Sequence, residues 1–234
     1  MKLIQCQLRL LIVTLLVSAI LLTSCGGSSD SDINYVALGA SDATGVGADP
    51  INRGYVYVIS KSLNDKGKST KLTNLGIPSA RIHLIGEAAR GITRIENPDL
   101  ITIFVGANDL NGGDSAASFE AELDGMLDHL VGNTDAFIVI ATLPDLTQLP
   151  SVIDKPNPNV TKATLAAYND AILNQAAKYN AAIADLRSLK NTGDVTASDG
   201  FHPNNEGYQK IADVFLGVIE PRFLTTRSAT LNAN

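Results

Sequence analysis

The sequence predicts an α/β protein, a three-layer α/β/α sandwich around a parallel sheet of about five strands. Two observations carry this. Short apolar runs alternate with segments of helical spacing from Tyr35 to Ile219. The runs are continuously apolar rather than alternating, as strands covered on both faces should be. The 234 residues and 45% hydrophobic content suit one domain with a sizeable core, from residue 33 to residue 223.

The elements follow in order. Tyr35-Val36-Ala37-Leu38 reads as the first strand, ending at Gly39. Gly54 to Leu63 has helical spacing, with Tyr55, Val58, Ile59 and Leu63 on one side. Lys71 to Leu75 is the second strand. Arg81 to Ile95 is helix-like through Ile82, Ile85, Ala89 and Ile92, weakened by Gly86 and Gly91. Leu100 to Val105 is the clearest buried strand. Ser115 is placed to cap a helix carrying Phe119, Leu123, Met126, Leu127 and Leu130. Ala136 to Ala141 is the fourth strand. Val160 to Tyr179 is an amphipathic helix, Ala181 to Asp185 a short fifth strand, and Asn204 to Ile219 a final helix capped by Asn204 or Asn205. Residues 224–234 are expected to be a frayed tail.

The N-terminus is read as a leader and not as part of the fold. Lys2 and Arg9 precede an apolar run from Leu10 to Leu22, of signal-peptide length and short for a membrane span. The run ends in Leu22-Thr23-Ser24-Cys25-Gly26-Gly27, which resembles a bacterial lipobox. Residues 1–24 are then a lipoprotein signal peptide, Cys25 the lipidated first residue, and residues 25–32 a Gly/Ser/Asp-rich tether. The expectation is an exported, membrane-anchored bacterial lipoprotein; Gly26 in place of Asp favours the outer membrane. The alternative is an ordinary secretory signal with an incidental Cys. The other cysteine, Cys6, lies in the leader, so no disulfide is expected.

Net charge is −6, and removing the leader takes away two cations and no acids. An acidic body argues against nucleic acid as the main partner. The chain shows no Cys/His metal cluster, no Walker A loop and no Gly-x-Gly-x-x-Gly after a strand, so neither metal nor cofactor is implied.

Four loops carry the chemistry. Ser41 follows the first strand, Gly76 the second and Asn108 the third, while Asp199 and His202 follow the fifth. Ligands of open α/β sheets bind outside the carboxyl ends of the strands, so the four blocks should converge on one rim. A serine hydroxyl needs a base to take its proton. Of three histidines, His83 and His129 lie in helical segments; His202 lies in a loop three residues after Asp199, which suits a carboxylate turning back to orient the ring. The Ser41 N–H, the Gly76 N–H and the Asn108 amide can receive a developing oxyanion. Each block alone has an ordinary reading as a cap or a turn; their order and placement at strand ends argue against coincidence.

This constellation resembles the SGNH hydrolases, the GDSL family of lipases and acylhydrolases. The resemblance runs from Tyr35 to the final helix and is strongest in Gly106-Ala107-Asn108-Asp109 and Asp199-Gly200-Phe201-His202-Pro203. It implies a flavodoxin-like sheet, Ser41 as nucleophile, Asp199 and His202 completing the triad, and Ser41, Gly76 and Asn108 forming the oxyanion hole. The first block departs from the usual Gly-Asp-Ser-Leu: here it is Gly39-Ala40-Ser41-Asp42, which removes a carboxylate beside the nucleophile. The expected activity is that of a serine esterase on lipid or small acyl esters. A carbohydrate O-acetylesterase with the same machinery and a catalytically silent binding lipoprotein are the alternatives. The Pro-rich segment from Leu143 to Asn159 is expected to shape the substrate pocket, with Leu146, Leu149, Val152 and Ile153 as an apolar wall; a structural cover over the rim is the competing reading.

Overall fold

The computed structural model describes residues 32–92, 97–190 and 193–224. The leader, Cys25, nearly all of the tether and the tail from residue 225 lie outside them, as does the end of the helix expected to reach Ile95.

Five strands form one sheet: β1 (Asp32–Gly39), β2 (Ser69–Gly76), β3 (Leu100–Phe104), β4 (Phe137–Ala141) and β5 (Ala182–Ala184), in the order β2-β1-β3-β4-β5. The sheet is parallel, with helices on both faces. β1 pairs with β3 from Tyr35 opposite Leu100 to Gly39 opposite Phe104, and β4 pairs with β3 and with β5. Every residue of β3 is buried, which accounts for its unbroken apolar run.

The chain leaves β1 toward β2 on one side and returns to β3 on the other. The crevice at that reversal, outside the carboxyl ends of β1 and β3, is where such a sheet takes a ligand. Ser41 and Asn108 stand immediately after those two strands.

The expected long helices are present: α2 (Tyr55–Asp65), α3 (Ile82–Arg90), α5 (Ala116–Asn133), α7 (Lys162–Lys178) and α8 (Asn205–Phe223). α2 packs on α8, while α3 packs on α5 and α5 on α7. Their ends follow from capping chemistry. Ser115 accepts the Ser118 N–H at 3.1 Å, and Asn204 accepts the N–H groups of Glu206 and Gly207 at 2.9 and 3.0 Å. Thr161 and Thr164 form a reciprocal capping box at the start of α7.

Three short helices were not expected: α1 (Ser41–Thr44), α4 (Ala107–Gly112) and α6 (Pro150–Asp154). α1 and α4 begin at the loops after β1 and β3, where a single turn aims side chains at the rim. In α6, Pro150 occupies the first helical position, where its missing N–H costs nothing. Residues 143–159 are therefore a built segment, and Leu146 and Leu149 are 6% and 3% exposed. They pack into the core, whereas Val152 is half-buried and Ile153 is exposed, so of the four residues expected to form an apolar wall only these two are left open to a ligand.

Tyr55 of α2 stacks on Phe215 of α8 with ring centroids 5.2 Å apart, and meets the edge of Phe104 from β3 at 6.0 Å. Pairs of this kind contribute about 0.5–1.5 kcal/mol each beyond the area they bury. This cluster anchors α8, and α8 in turn fixes the loop that precedes it.

Candidate active site

The turn after β1 sets Ser41. Gly39 lies against the sheet so closely that a β-carbon there would stand 2.8 Å from the Phe104 carbonyl oxygen and 2.9 Å from Ala43. Ser41 then opens α1 and is 6% exposed. No hydrogen bond is made by its N–H among the described residues.

The loop before α8 sets His202 and Asp199. Thr196 and Pro203 form an antiparallel bridge, and the Ala197 N–H donates to the His202 carbonyl at 2.8 Å. Asn204 ties the loop to α8 by donating its side-chain amide to the carbonyls of Asp194 and Thr196. Gly47 backs the loop from the far side, next to Pro203 and the His202 β-carbon.

Ser41, His202 and Asp199 meet in one hydrogen-bonded line. Asp199 Oδ2 lies 2.6 Å from His202 Nδ1, and His202 Nε2 lies 2.9 Å from Ser41 Oγ. An ionised carboxylate only accepts, so Nδ1 carries the imidazole proton, and Nε2 receives the Ser41 hydroxyl hydrogen. Asp199 Oδ1 accepts the N–H groups of Phe201 and His202, both at 2.9 Å. Burial pushes the Asp199 carboxyl up, but the bonds from the His202 ring and the two amides outweigh it and hold the group below its ordinary value. The carboxylate therefore stays ionised beside the ring. Phe201 meets the imidazole edge-on, with centroids 5.1 Å apart. His83 and His129 lie on α3 and α5, where their ring contacts are with Glu122 and Asn133.

The loop after β2 departs from expectation. The Gly76 N–H donates to Asn74 Oδ1 at 3.0 Å, while Asn74 Nδ2 donates to the Ala43 carbonyl at 2.7 Å. The amide read as an oxyanion donor is thus engaged within its own turn. Glycine stands there for close packing instead: a β-carbon would lie 2.8 Å from Thr44 and 3.0 Å from Ala43. Further along, the Ile77 N–H donates to the Gly39 carbonyl and the Ala80 N–H to the Ile77 carbonyl. Pro78 has no N–H. That leaves Ser79, at φ 64°, and Arg81 as the loop residues whose amides have no hydrogen-bond partner among the described residues. A serine gives no sequence signal for a left-handed backbone, so this position was not legible.

Asn108 sits in the first turn of α4 and donates one amide hydrogen to the Ala80 carbonyl at 2.9 Å. Its second N–H has no hydrogen-bond partner among the described residues. The sequence reading also missed Asn74, which joins the Ser41 turn to that loop. Its only signal was an asparagine two residues before a glycine at a strand end.

Residues 37–210 match the model of the GDSL-like lipase/acylhydrolase family. A multidomain esterase of Ruminococcus flavefaciens is 31% identical over 129 residues, 53% of this chain and 16% of that protein. This chain thus matches only about a sixth of that relative's length. The fold is similar to that of the psychrotrophic esterase EstA from Pseudoalteromonas sp., with a TM-score of 0.68 and 16% identity over 83% of this chain and 100% of the other. It is likewise similar to a family 3 carbohydrate esterase of Clostridium thermocellum, with a TM-score of 0.67 and 17% identity over 83% and 100%. The chain belongs to the GDSL-like lipase/acylhydrolase family.

Proposed function

We propose that this protein is a serine esterase that cleaves carboxylic esters through an acyl-enzyme intermediate. The observation that carries the reading is the unbroken line from Asp199 through His202 to Ser41, at 2.6 and 2.9 Å. Ser41 Oγ attacks the ester carbonyl carbon as its proton passes to His202 Nε2, and the carbonyl π pair moves onto oxygen. Asp199 stabilises the imidazolium without taking its proton. The oxyanion is received by the Ser41 N–H and the second N–H of Asn108, with the Gly76 N–H, bonded to Asn74 Oδ1 before substrate binds, as the third donor of the proposal. Collapse of the intermediate expels the alcohol, which takes the proton from His202. Water, deprotonated by the same Nε2, then attacks the acyl-serine and releases the acid.

The substrate reading within this chemistry is a short acyl ester, with a sugar O-acetyl group as the specific case. The carbohydrate esterase among the similar structures is consistent with it.

Labelling with a fluorophosphonate probe, alongside hydrolysis of p-nitrophenyl acetate, tests the assignment. Wild type should label at Ser41 and hydrolyse the ester, and Ser41→Ala should do neither while remaining folded. Hydrolysis by folded Ser41→Ala at a rate near wild type would remove Ser41 as nucleophile. Absence of both labelling and turnover in the wild type would favour a binding protein that keeps the fold.

The lipobox-like segment supports a further proposal, that Cys25 carries a lipid and the mature protein is anchored to the bacterial outer membrane. Mass spectrometry of the mature N-terminus checks this: a diacylglyceryl-modified Cys25, lost in Cys25→Ser, is expected. A mature wild-type N-terminus elsewhere, unmodified and in the soluble fraction, would refute it.

A further inference from the structure

Three consecutive residues of the loop entering α3 are each held by α4 or its end. The Ala80 carbonyl accepts from Asn108 Nδ2 at 2.9 Å. Arg81 Nη1 donates to both carboxylate oxygens of Asp114, at 2.8 and 3.0 Å. The Ile82 N–H donates to Asp109 Oδ1 at 2.9 Å. The first and third of these bonds come from adjacent residues, Asn108 and Asp109, so one turn of helix grips the loop at two points.

Asp109 is the costly member of this set. It is 1% exposed, and its second oxygen, Oδ2, is buried without a hydrogen-bond partner among the described residues. Burial pushes the carboxyl above its ordinary value, with the Ile82 N–H opposing. A buried carboxyl with one oxygen unpaired is a poor way to stabilise a core. Its one strong bond goes to the backbone at the start of α3, two residues beyond the carbonyl that Asn108 holds.

We propose that Asp109 is a positioning residue for Asn108: by accepting the Ile82 N–H it fixes the Ala80 carbonyl, and so commits one amide hydrogen of Asn108 to the loop and keeps the other for the oxyanion. The inference rests on the esterase reading above. Without Asp109 the loop loses one of its two grips, the Asn108 amide turns more freely, and the hole loses its preorganised donor. The Michaelis complex, whose neutral carbonyl gains little from that donor, is affected less.

A double-mutant cycle on kcat tests it, using the full chain and counting active sites by fluorophosphonate titration. Ser41-dependent turnover in the wild type is measured first, so that failure of the esterase reading is seen separately. Asp109→Ala should lower kcat about 10- to 100-fold, a part of the loss typical of a removed oxyanion donor, with KM nearly unchanged. In the Asn108→Ala background the same change should cost less than about 3-fold, because its effect is transmitted through Asn108. Equal fold losses in both backgrounds, or a loss confined to KM, would overturn the proposal. Asp109→Asn keeps an acceptor for the Ile82 N–H and should restore kcat to within about 5-fold of wild type; a loss as deep as that of Asp109→Ala would also overturn it. Should Asp109→Ala fail to accumulate as folded protein, Ile82→Pro removes the same bond from the donor side. Ile82 is the first residue of α3, where proline is tolerated, and Arg81 before it is already extended; because the Ile82 side chain is buried, Ile82→Ala, which keeps the N–H, is measured beside it as the control for lost packing. The same dependence on Asn108 is expected of Ile82→Pro, and its absence would count equally against the proposal.

Discussion

A single methyl group at Gly47 should disable the site from behind. Gly47 has φ 95°, and a β-carbon there would stand 2.4 Å from the Pro203 carbonyl oxygen, 2.9 Å from the His202 β-carbon and 3.2 Å from that of Ala197. All three neighbours are backbone or main-chain-proximal atoms of the segment that holds the imidazole. Relief therefore requires that segment to move by roughly half an ångström or more, and misplacement approaching 1 Å can cost about 100-fold in rate. Gly47→Ala is accordingly expected to lower kcat about 10- to 100-fold. It should also lose about 1–3 kcal/mol of stability from the left-handed backbone. Gly67→Ala separates the two effects. Gly67 has φ 86° and would place its β-carbon with nothing within 4 Å, so it carries the backbone strain without pushing on anything. The assay is kcat, KM and fluorophosphonate labelling rate for both variants, with melting temperature on the same samples. Gly67→Ala should melt lower and keep its kcat. If Gly47→Ala melts lower to the same degree and keeps wild-type kcat and labelling rate, the packing of Gly47 does not set the position of His202.

Other outcomes follow from the same geometry. His202→Ala should be as inactive as Ser41→Ala, whereas His83→Ala and His129→Ala should retain turnover; an essential His83 or His129 would break the assignment. Asn108→Ala should lower kcat on the order of 10²–10³ with little change in KM, and unchanged kcat per folded molecule with a lower melting temperature would make Asn108 a turn former instead. Leu149→Ala should cost about 2–5 kcal/mol as a core truncation, read by denaturant unfolding; a change in acyl-length preference at unaltered stability would restore Leu149 to the substrate pocket. The Asp109 carboxyl is raised above 3.8 by burial, so the folded state holds its proton to higher pH than the unfolded state. Its contribution to stability is greatest below 3.8 and declines as pH rises through the folded-state value. The melting temperature of Asp109→Asn relative to wild type should therefore climb from acid to neutral pH, and a constant difference would show that Asp109 does not titrate in this way.

Residue type and placement explain which parts of the site the sequence revealed. Ser41, Asn108 and His202 were legible because each is a chemically distinctive residue just beyond an apolar run, and the parallel sheet brings those run ends to one rim. The histidine was legible by elimination, since two of three lie in helical spacing. Gly76 is ambiguous in sequence because a glycine after a strand serves equally for an exposed amide or for close packing, and the three-dimensional approach of Ala43 and Thr44 is what reveals the packing. Ser79 was invisible because its left-handed backbone is imposed by the loop and not by its side chain. Residues 143–159 read as an irregular loop because four prolines dominate them. Yet Pro150 begins a helix, and the alternation that would have marked Leu146 and Leu149 as buried is too short to carry a period.

The altered first block now has a physical account. With Ala40 where a carboxylate is usual, and Asp42 where leucine is usual, the turn must be braced by other means. Thr44 Oγ1 donates to the Ser41 carbonyl at 2.8 Å, and Asn74 Nδ2 to the Ala43 carbonyl. The Ile77 N–H holds the Gly39 carbonyl from the β2 side, and the Tyr208 hydroxyl holds the Val46 carbonyl at 2.5 Å from α8. Four backbone carbonyls around Ser41 are thus fixed by partners from three elements, none of which needs a side chain at position 40. Ala40 is itself 8% exposed, so an aspartate there would meet a largely closed environment. The acid of this block sits at Asp42 instead, where burial holds its carboxyl above the ordinary value. The turn is therefore braced without a carboxylate at position 40. The line from Asp199 to Ser41 stays intact, because that line is set by the loop before α8 and by the close packing of Gly39, neither of which involves residue 40 or residue 42.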